Sequence, residues 1–201
     1  MPIAINGSGT ITGISVGGLP DGIVDADMLA ANAVTAGKLS SGVGGKILQV
    51  VHVTKTDAFS TTSNTYTDIT GIAASITPTS ANSEIIVRFD LQIGGTNNVY
   101  AHAKCQRLIA GGSYADLQIG DAVGSHERAN MNMDTEVSYG YVKGSNNCFS
   151  LKDTTHNTTS QITYKLVCHC TSGTIYVNRY SQDSTNSTAG TSSVMLIEVA
   201  A

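Results

Sequence analysis

The sequence predicts an all-β protein: an antiparallel β-sandwich head of jelly-roll type, preceded by an extended or short-helical N-terminal segment. Three observations support this fold class. Residues 84–93 alternate between apolar and polar side chains, residues 161–170 do so again, and short apolar segments elsewhere are separated by Ser, Thr, Asn and Gly. Short strands joined by turn-rich spacers are typical of sandwiches and jelly rolls.

The two alternating segments are the clearest strands, because a period of two places every second side chain on one face of a sheet. The predicted inner faces are Ile85, Val87, Phe89, Leu91 and Ile93 in the first, and Ile162, Tyr164, Leu166, Cys168 and Cys170 in the second. Residues 47–53 are predicted as the first strand of the head. Further strands are predicted near 66–70, 72–77, 98–109, 114–119, 135–143, 147–152, 173–180 and 192–200.

A change of composition at Gly44-Gly45 divides the chain into an N-terminal segment, 1–45, and a head domain, 46–201. In residues 3–19 single apolar residues are separated by Gly, Ser and Thr. Each of them contributes only about 1.5–3 kcal/mol when fully buried. Ordering the backbone costs about 1–2 kcal/mol per residue. We therefore expect this segment to become ordered only against other chains or a docking surface.

A short internal repeat lies between residues 24 and 39. Val, Ala and Leu of residues 24–29 recur ten residues later in residues 34–39. Asp25 and Thr35 suit the N-cap positions of two short helical turns. One amphipathic helix from about 25 to 39, ended by Gly37, is the alternative. Both interpretations argue against a long coiled coil.

Composition excludes several function classes. Charged residues make up 13% of the chain and the net charge is -4, whereas nucleic-acid binding calls for a clustered basic face. The sequence lacks an apolar run of the roughly 18 residues that span a bilayer, and its first residues do not resemble a signal peptide. We expect no nucleic-acid partner, no membrane insertion and no export.

Cysteine and histidine are candidates for a metal site, most obviously Cys168-His169-Cys170 with Cys148 and His156 upstream. Zinc requires four converging ligands, but alternation along one strand directs His169 away from the two neighbouring thiols. We predict no metal site. The four cysteines, which include Cys105, are expected to be reduced thiols.

An enzyme is not expected. The sequence has no nucleophile-elbow pattern, and its carboxylates and five histidines are scattered along the chain. We predict no catalytic residues and no cofactor.

Three polar loops, 124–133, 153–160 and 181–192, are candidates for recognition, because loops on rigid β scaffolds often carry binding residues. The alternative is that they are solvated connections. Several tyrosines could stack on sugars, but most lie in predicted strands.

The head resembles a domain of virion fibre and tail proteins from tailed bacteriophages, especially marine ones. The resemblance lies in an ordered series of segments over about three quarters of the chain rather than in one motif. In order they are 44–50, 59–61, 66–72, 75–78, 83–87, 119–122, 174–179 and 194–200. The repeat at 24–39 is similar to segments that phage fibres place before such heads.

The resemblance implies a homotrimeric, non-enzymatic virion protein, assembled in the bacterial host cytoplasm. The family does not fix the attachment point: a tail fibre is the expected role, and a tail-tip protein and a head fibre are alternatives. Its N-terminus would attach to another virion protein of the tail or capsid, through Ile3, Ile5, Ile11, Ile14, Val16 and Leu19. Its loops would contact a host cell-surface glycan or protein, through His126, Arg128, Asn130, Asn132, His156, Asn157, Asp183 and Asn186. A capsid decoration or head-fibre protein without receptor binding, and a bacterial glycan-binding module, are the alternatives.

Overall fold

The structure is a computed structural model that describes residues 4–5, 11–12, 33–35, 38, 46–96, 99–135, 137–138, 141–142, 145–180 and 187–201. The chain forms two compact units, Met1–Gly45 and Lys46–Ala201. In the first unit, β1 (Ala4–Ile5) pairs with β2 (Ile11–Thr12) in antiparallel fashion. Most of the repeat at 24–39 lies outside the described residues. Within it, the Lys38 amide donates to the Thr35 carbonyl at 2.9 Å, which closes one turn.

The second unit is built from strands alone in its described residues. They are β3 (Ile47–Lys55), β4 (Phe59–Thr61), β5 (Thr67–Ile76), β6 (Glu84–Gly95), β7 (Ala101–Ile109), β8 (Ala115–Asp116), β9 (Met131–Asn132), β10 (Val137–Ser138), β11 (Tyr141–Val142), β12 (Ser145–Asp153), β13 (Ile162–Cys170), β14 (Ile175–Val177) and β15 (Ser192–Val199).

The first main sheet contains β3, β4, β6, β12, β14 and β15, which lie along four lines. Strand β14 pairs with residues 93–95 of β6 and β15 pairs with residues 84–90, so these two strands lie end to end beside β6. In the same way β3 pairs with β15 and β4 pairs with β14. Strand β12 pairs with residues 85–93 on the other side of β6. We call this the N-terminal sheet, because it contains β3.

The second main sheet follows the same plan. Strand β13 is flanked by β5 and β7, and the outer side of β7 is lined by β8 and β9, again end to end. Strands that lie end to end can be counted as one line. The eight lines in chain order are then β3/β4, β5, β6, β7, β8/β9, β12, β13 and β14/β15, and the two sheets have the line orders 1-8-3-6 and 2-7-4-5. This is the strand order of a jelly roll, so the predicted class and the predicted subtype agree with the topology.

The core fills the space between the sheets. The predicted inner face of residues 84–93 is confirmed, since Ile85, Val87, Phe89, Leu91 and Ile93 are all buried. The predicted inner face of residues 161–170 is confirmed as well, with all five of its side chains buried. The Phe89 ring stacks on the Phe149 ring at 5.4 Å, which joins β6 to β12 inside the sandwich.

Several predicted strand boundaries were wrong. Residues 66–70 and 72–77 form one strand, β5, whose interruption is a bulge: Gly71 has a φ of 80° and packs against the Lys55 side chain. Residues 135–143, predicted as one strand, contain two short ones, β10 and β11. The short strands β4 and β9 were not predicted, because neither has enough residues to show a period.

Candidate functional site

A cleft of about 320 Å³, lined mostly by residues of polar type, opens on the outer face of the N-terminal sheet. Its floor is formed by two directly opposed pairs, Asp90 with Cys148 and Gln92 with Asn146. Thr191, at the end of a long loop, closes one side. The complete lining is Asp90, Leu91, Gln92, Asn146, Asn147, Cys148 and Thr191.

The loop beside the cleft, residues 179–191, interrupts an otherwise continuous strand line. Strand β14 ends opposite Ile93 and β15 resumes opposite Asp90, so the chain leaves the sheet and returns almost in register. A bridge between Arg179 and Ala189 closes the base of the loop. The loop is therefore held at both ends by the sheet.

Asn178 fixes the point of departure. Its side chain is buried. The side-chain Nδ2 donates to the carbonyls of Lys55 at 2.9 Å and Asp57 at 3.0 Å. The side-chain Oδ1 accepts from Ser192 Oγ at 2.5 Å. Its φ of 66° lies in the left-handed region, which asparagine tolerates better than most residues. One side chain thus joins the β3–β4 break to both ends of the loop.

Residues are also closely packed at the position where the loop rejoins the sheet. A Cβ placed on Gly190 would overlap the end of the Gln92 side chain, which would have to move to make room for it. The Gln92 backbone amide donates to Ser192 Oγ at 3.1 Å. Gln92 Oε1 is buried and has no hydrogen-bond partner among the described residues. The end of the Gln92 side chain thus carries an unpaired acceptor that is shielded from solvent next to Gly190.

The cleft offers amide and carboxylate groups to a ligand. Asn146 is exposed, and Asn147 is half-buried and donates to the Asn132 carbonyl at 3.0 Å. Asp90 accepts from Arg88 through both carboxylate oxygens, which holds the carboxylate in place on the sheet. Beyond Gln92 on the same strand, Gly94 lies opposite Tyr176, and the Arg179 guanidinium lies 4.6 Å from the Tyr176 ring centroid. This combination of amides, a fixed carboxylate and a neighbouring ring suits a hydroxyl-rich ligand.

The predicted recognition residues do not form one surface. His126 and Arg128 are exposed in the loop 118–129, and Arg128 Nε donates to the Gly120 carbonyl at 2.7 Å. The loop 118–129 leaves and re-enters the line of β8 and β9, so it belongs to the second sheet. Asn132 is exposed and bonded to Asp134, and Asn157 is exposed with a φ of 44°.

Two predicted contact residues lie in structural positions instead. His156 is buried, with Nε2 2.7 Å from the Ser83 carbonyl and Nδ1 3.2 Å from the Thr158 carbonyl. Asn130 is half-buried: its Oδ1 accepts from the Cys105 amide, and its Nδ2 donates to the carbonyls of Leu117 and Gln118. It closes the base of loop 118–129 as Asn178 does for 179–191. Neither side chain is free to contact a receptor.

Of the three predicted loops, 153–160 lies apart from the other two, which approach the same cleft: the Asn132 carbonyl accepts from Asn147, and Asn147 and Thr191 both line the cleft. Residues 153–160 lie beside Ser83, at the start of β6, whereas Gln92 and Asn178 lie near its end. At about 3.3 Å per residue, the stretch from Ile85 to Gln92 spans about 23 Å. The loop 153–160 therefore lies at the opposite end of the sheet from the cleft.

The remaining predicted site residues fall on other parts of the chain. Ile5 lies in β1 and Ile11 lies in β2. Outside the described residues lie Ile3, Ile14, Val16, Leu19, Asp183 and Asn186.

A second polar cluster lies under loop 118–129, on the outer face of the second sheet. His169 is 8% exposed, and its ring lies 4.5 Å from the Tyr66 ring and 5.4 Å from the His102 ring. Neither His169 ring nitrogen has a hydrogen-bond partner among the described residues. Burial lowers the pKa of His169, and it raises the pKa of Tyr66, whose hydroxyl donates to Glu127 at 3.0 Å.

The cysteines do not converge. Cys105, Cys168 and Cys170 are buried, and Cys148 is exposed in the cleft; all four are free thiols. Burial raises the pKa of Cys105 and of Cys168 to about 12. Within the described part of the chain, no three His, Cys, Asp or Glu side chains are grouped as a metal ion requires. That part also contains no helix long and apolar enough to cross a membrane.

The cleft was not predicted as a site, although two of its lining residues were correctly placed on the outer face. Asp90 and Gln92 follow from the alternation of 84–93 as outward-facing residues. Asn146 and Cys148 lie beside them only because β6 pairs with β12, and that pairing has no local signal in the sequence.

Comparison with known proteins gives only distant structural likenesses. No family model matches the chain, and no curated protein matches it. A structure of infectious bursal disease virus, Gt strain, matches with a TM-score of 0.40 and 15% identity, over 76% of this chain and 38% of that one. The VP2 subviral particle of the same virus matches with a TM-score of 0.37 and 15% identity, over 76% and 38%. This chain thus spans under two fifths of the length of those proteins, and function must be argued from its own geometry.

Proposed function

We propose that this chain is a non-enzymatic structural protein of a bacteriophage virion, a homotrimeric tail fibre whose head contacts the host surface. The resemblance to phage fibre and tail proteins supports the setting. The jelly roll supports the role, since it is a rigid scaffold from which two long loops emerge at positions fixed by Asn130 and Asn178.

The observation that carries the proposal is the position of the cleft relative to Lys46. The Ala200 amide donates to the Lys46 carbonyl at 2.7 Å, and Val199 pairs with both Ile47 and Glu84. Lys46 therefore lies at the Glu84 end of β6, and the cleft lies at the Gln92 end. At about 3.3 Å per residue the two ends are about 26 Å apart. In a head domain that the chain enters at Lys46, the cleft therefore lies at the other end of the sheet from that entry point.

The chemistry of the cleft favours a host-surface glycan as the ligand. Hydroxyl groups of sugars accept and donate hydrogen bonds, which matches the mixed donors and acceptors of Asn146, Asn147, Gln92 and Asp90. An open cleft of this size binds weakly by itself. Three copies per fibre and several fibres per particle raise the overall affinity through effective concentration.

The test is competition for adsorption. Purified full-length protein is mixed with host cells before phage is added, and the fraction of adsorbed phage is measured. Wild-type protein should block adsorption, and Asn146→Ala should block it at least tenfold less well. Asn82→Ala is the matched control, because Asn82 is also exposed but lies beside the Glu84 end; it should block as wild type does.

Three outcomes would overturn the proposal. Failure of the wild-type protein to compete at any concentration would favour a capsid decoration protein without receptor binding. Undiminished competition by Asn146→Ala, or an equal loss in both variants, would exclude the cleft as the contact surface.

A further inference from the structure

The outer face of the N-terminal sheet carries an apolar patch near Lys46, which we call the β15 patch. Val50, Ile197 and Ile86 lie directly opposite one another across β3, β15 and β6. In the next row of side chains towards Lys46, Val199 lies between Ile47 and Glu84. In the next row away from Lys46, Met195 lies between His52 and Arg88. A strand face turned to solvent normally carries polar side chains.

The patch is open in the single chain. Ile47 is 60% exposed and Val50 is 54% exposed. Ile86, Met195, Ile197 and Val199 are half-buried by their neighbours. A contiguous apolar surface rimmed by polar residues marks a protein interaction site.

A bulge extends the patch to the end of the sheet. Glu198 pairs with Gln49 and Val199 pairs with Ile47, so Leu48 is the additional residue and Ile47 returns to the outer face. Leu48 is itself 43% exposed. Without the bulge, Ile47 would turn to the inner face and Leu48 to the outer one. The irregularity therefore places Ile47, the residue next to Lys46, on the outer face.

The charges around the patch are balanced. Arg88 pairs with Asp90 at 2.9 Å, and Lys152 pairs with Glu84 at 2.8 Å. Within each of these two pairs the charges cancel. An identical copy of the face is not repelled, whereas a partner of strong charge gains nothing from it.

We propose that the β15 patch is the surface on which a second copy of this chain packs. The patch begins at Ile47, two residues after Gly45, the last residue of the N-terminal unit. If N-terminal units of several chains assemble, they hold several patches near one another at high effective concentration. The inference rests on the proposed function only for the number of copies, three.

The test is the mass of the full-length protein, measured by light scattering during size-exclusion chromatography. Val50→Asp should lower the mass from trimer towards monomer at least partly, with a dissociation constant raised at least tenfold. Val123→Asp is the matched control, because Val123 is 62% exposed in loop 118–129, far from the patch. It should retain the wild-type mass. Far-ultraviolet circular dichroism checks that both variants are folded.

A cross-link provides a second measurement that does not depend on disrupting the assembly. In a Cys148→Ser background, Val50→Cys should give an intermolecular product with a short bis-maleimide, and Val123→Cys should give none. The inference is overturned if wild type is monomeric, if Val50→Asp leaves the mass unchanged, or if Val50→Cys does not cross-link. A trimer unaffected by Val50→Asp would reject this interface while leaving the adsorption result as it stands.

Discussion

Ser192 Oγ donates a 2.5 Å hydrogen bond to Asn178 Oδ1, and this bond joins the two ends of the loop 179–191. The same asparagine donates to two carbonyls at the break between β3 and β4. Two strand interruptions that are separate in sequence are thus closed by one buried side chain. A loop can leave the sheet beside the cleft without exposing unpaired backbone groups in the core.

Replacing Asn178 should destabilise the head. Asn178→Ala leaves the Lys55 and Asp57 carbonyls without their donor and places alanine at a left-handed φ. We expect a loss of about 2–4 kcal/mol in the free energy of unfolding. Asn178→Gly removes the same bonds without the φ cost and should be less destabilising by about 1 kcal/mol. Urea denaturation measures both; a change below about 0.5 kcal/mol in Asn178→Ala would contradict the role of this residue.

Asp153 should make the head sensitive to acid. It is fully buried, and both its oxygens accept from Arg107 Nη1 at 2.8 Å, one of them also from the Tyr164 hydroxyl at 2.7 Å. Burial raises the pKa of this carboxyl, but the bonds from Arg107, the Thr155 amide and Tyr164 outweigh it, so the pKa is lowered overall. The resulting stability is complete above the unfolded pKa of about 3.9 and is lost as pH falls through the folded value.

The variants separate charge from hydrogen bonding at this site. Asp153→Asn leaves the Arg107 charge without its partner and should cost about 3–5 kcal/mol at pH 7. It should also remove this contribution to the acid dependence, which appears as pH falls below about 4. Tyr164→Phe keeps the charge pair and should cost about 1 kcal/mol. An unchanged pH dependence of unfolding in Asp153→Asn would contradict this account.

His169 should produce a second pH dependence, close to neutrality. Burial lowers its pKa, with further lowering by His102 and Lys104 and an opposing effect of Glu127. The unfolded chain therefore binds the proton more readily than the folded one. Stability is complete above the unfolded pKa of about 6.5 and falls as pH drops below it.

The comparison that tests this is His169→Phe, which keeps a ring beside Tyr66 and cannot be protonated. Between pH 7.5 and pH 5 the wild type should lose more stability than this variant. His126→Phe, in the exposed part of loop 118–129, serves as the control and should follow the wild type. If His169→Phe and wild type lose stability in parallel, the buried ring is not the source.

The sequence was informative wherever a strand is long and has one buried face. The alternation of 84–93 predicted five core residues correctly, because burial of one face imposes a period of two. The reasoning failed where position depends on distant pairing. His156 and Asn130 look like loop residues in the sequence, yet Ser83 and Cys105, both distant in sequence, turn them into structural residues.

The candidate cleft likewise could be predicted only in part from the sequence. Gln92 was correctly placed on the outer face, but its opposition to Asn146 follows from the register of β6 with β12. Nothing local encodes that register. The β15 patch was missed for a related reason: residues 192–200 are mostly apolar, so the segment has no clear alternation from which an exposed face can be identified.

The most direct test of the proposed function is to locate the protein on purified phage particles by electron cryo-microscopy, together with its copy number from quantitative mass spectrometry. The proposal predicts three-fold symmetric heads on the tail, with a copy number divisible by three. Single heads arranged with the symmetry of the capsid would contradict it and identify a decoration protein instead.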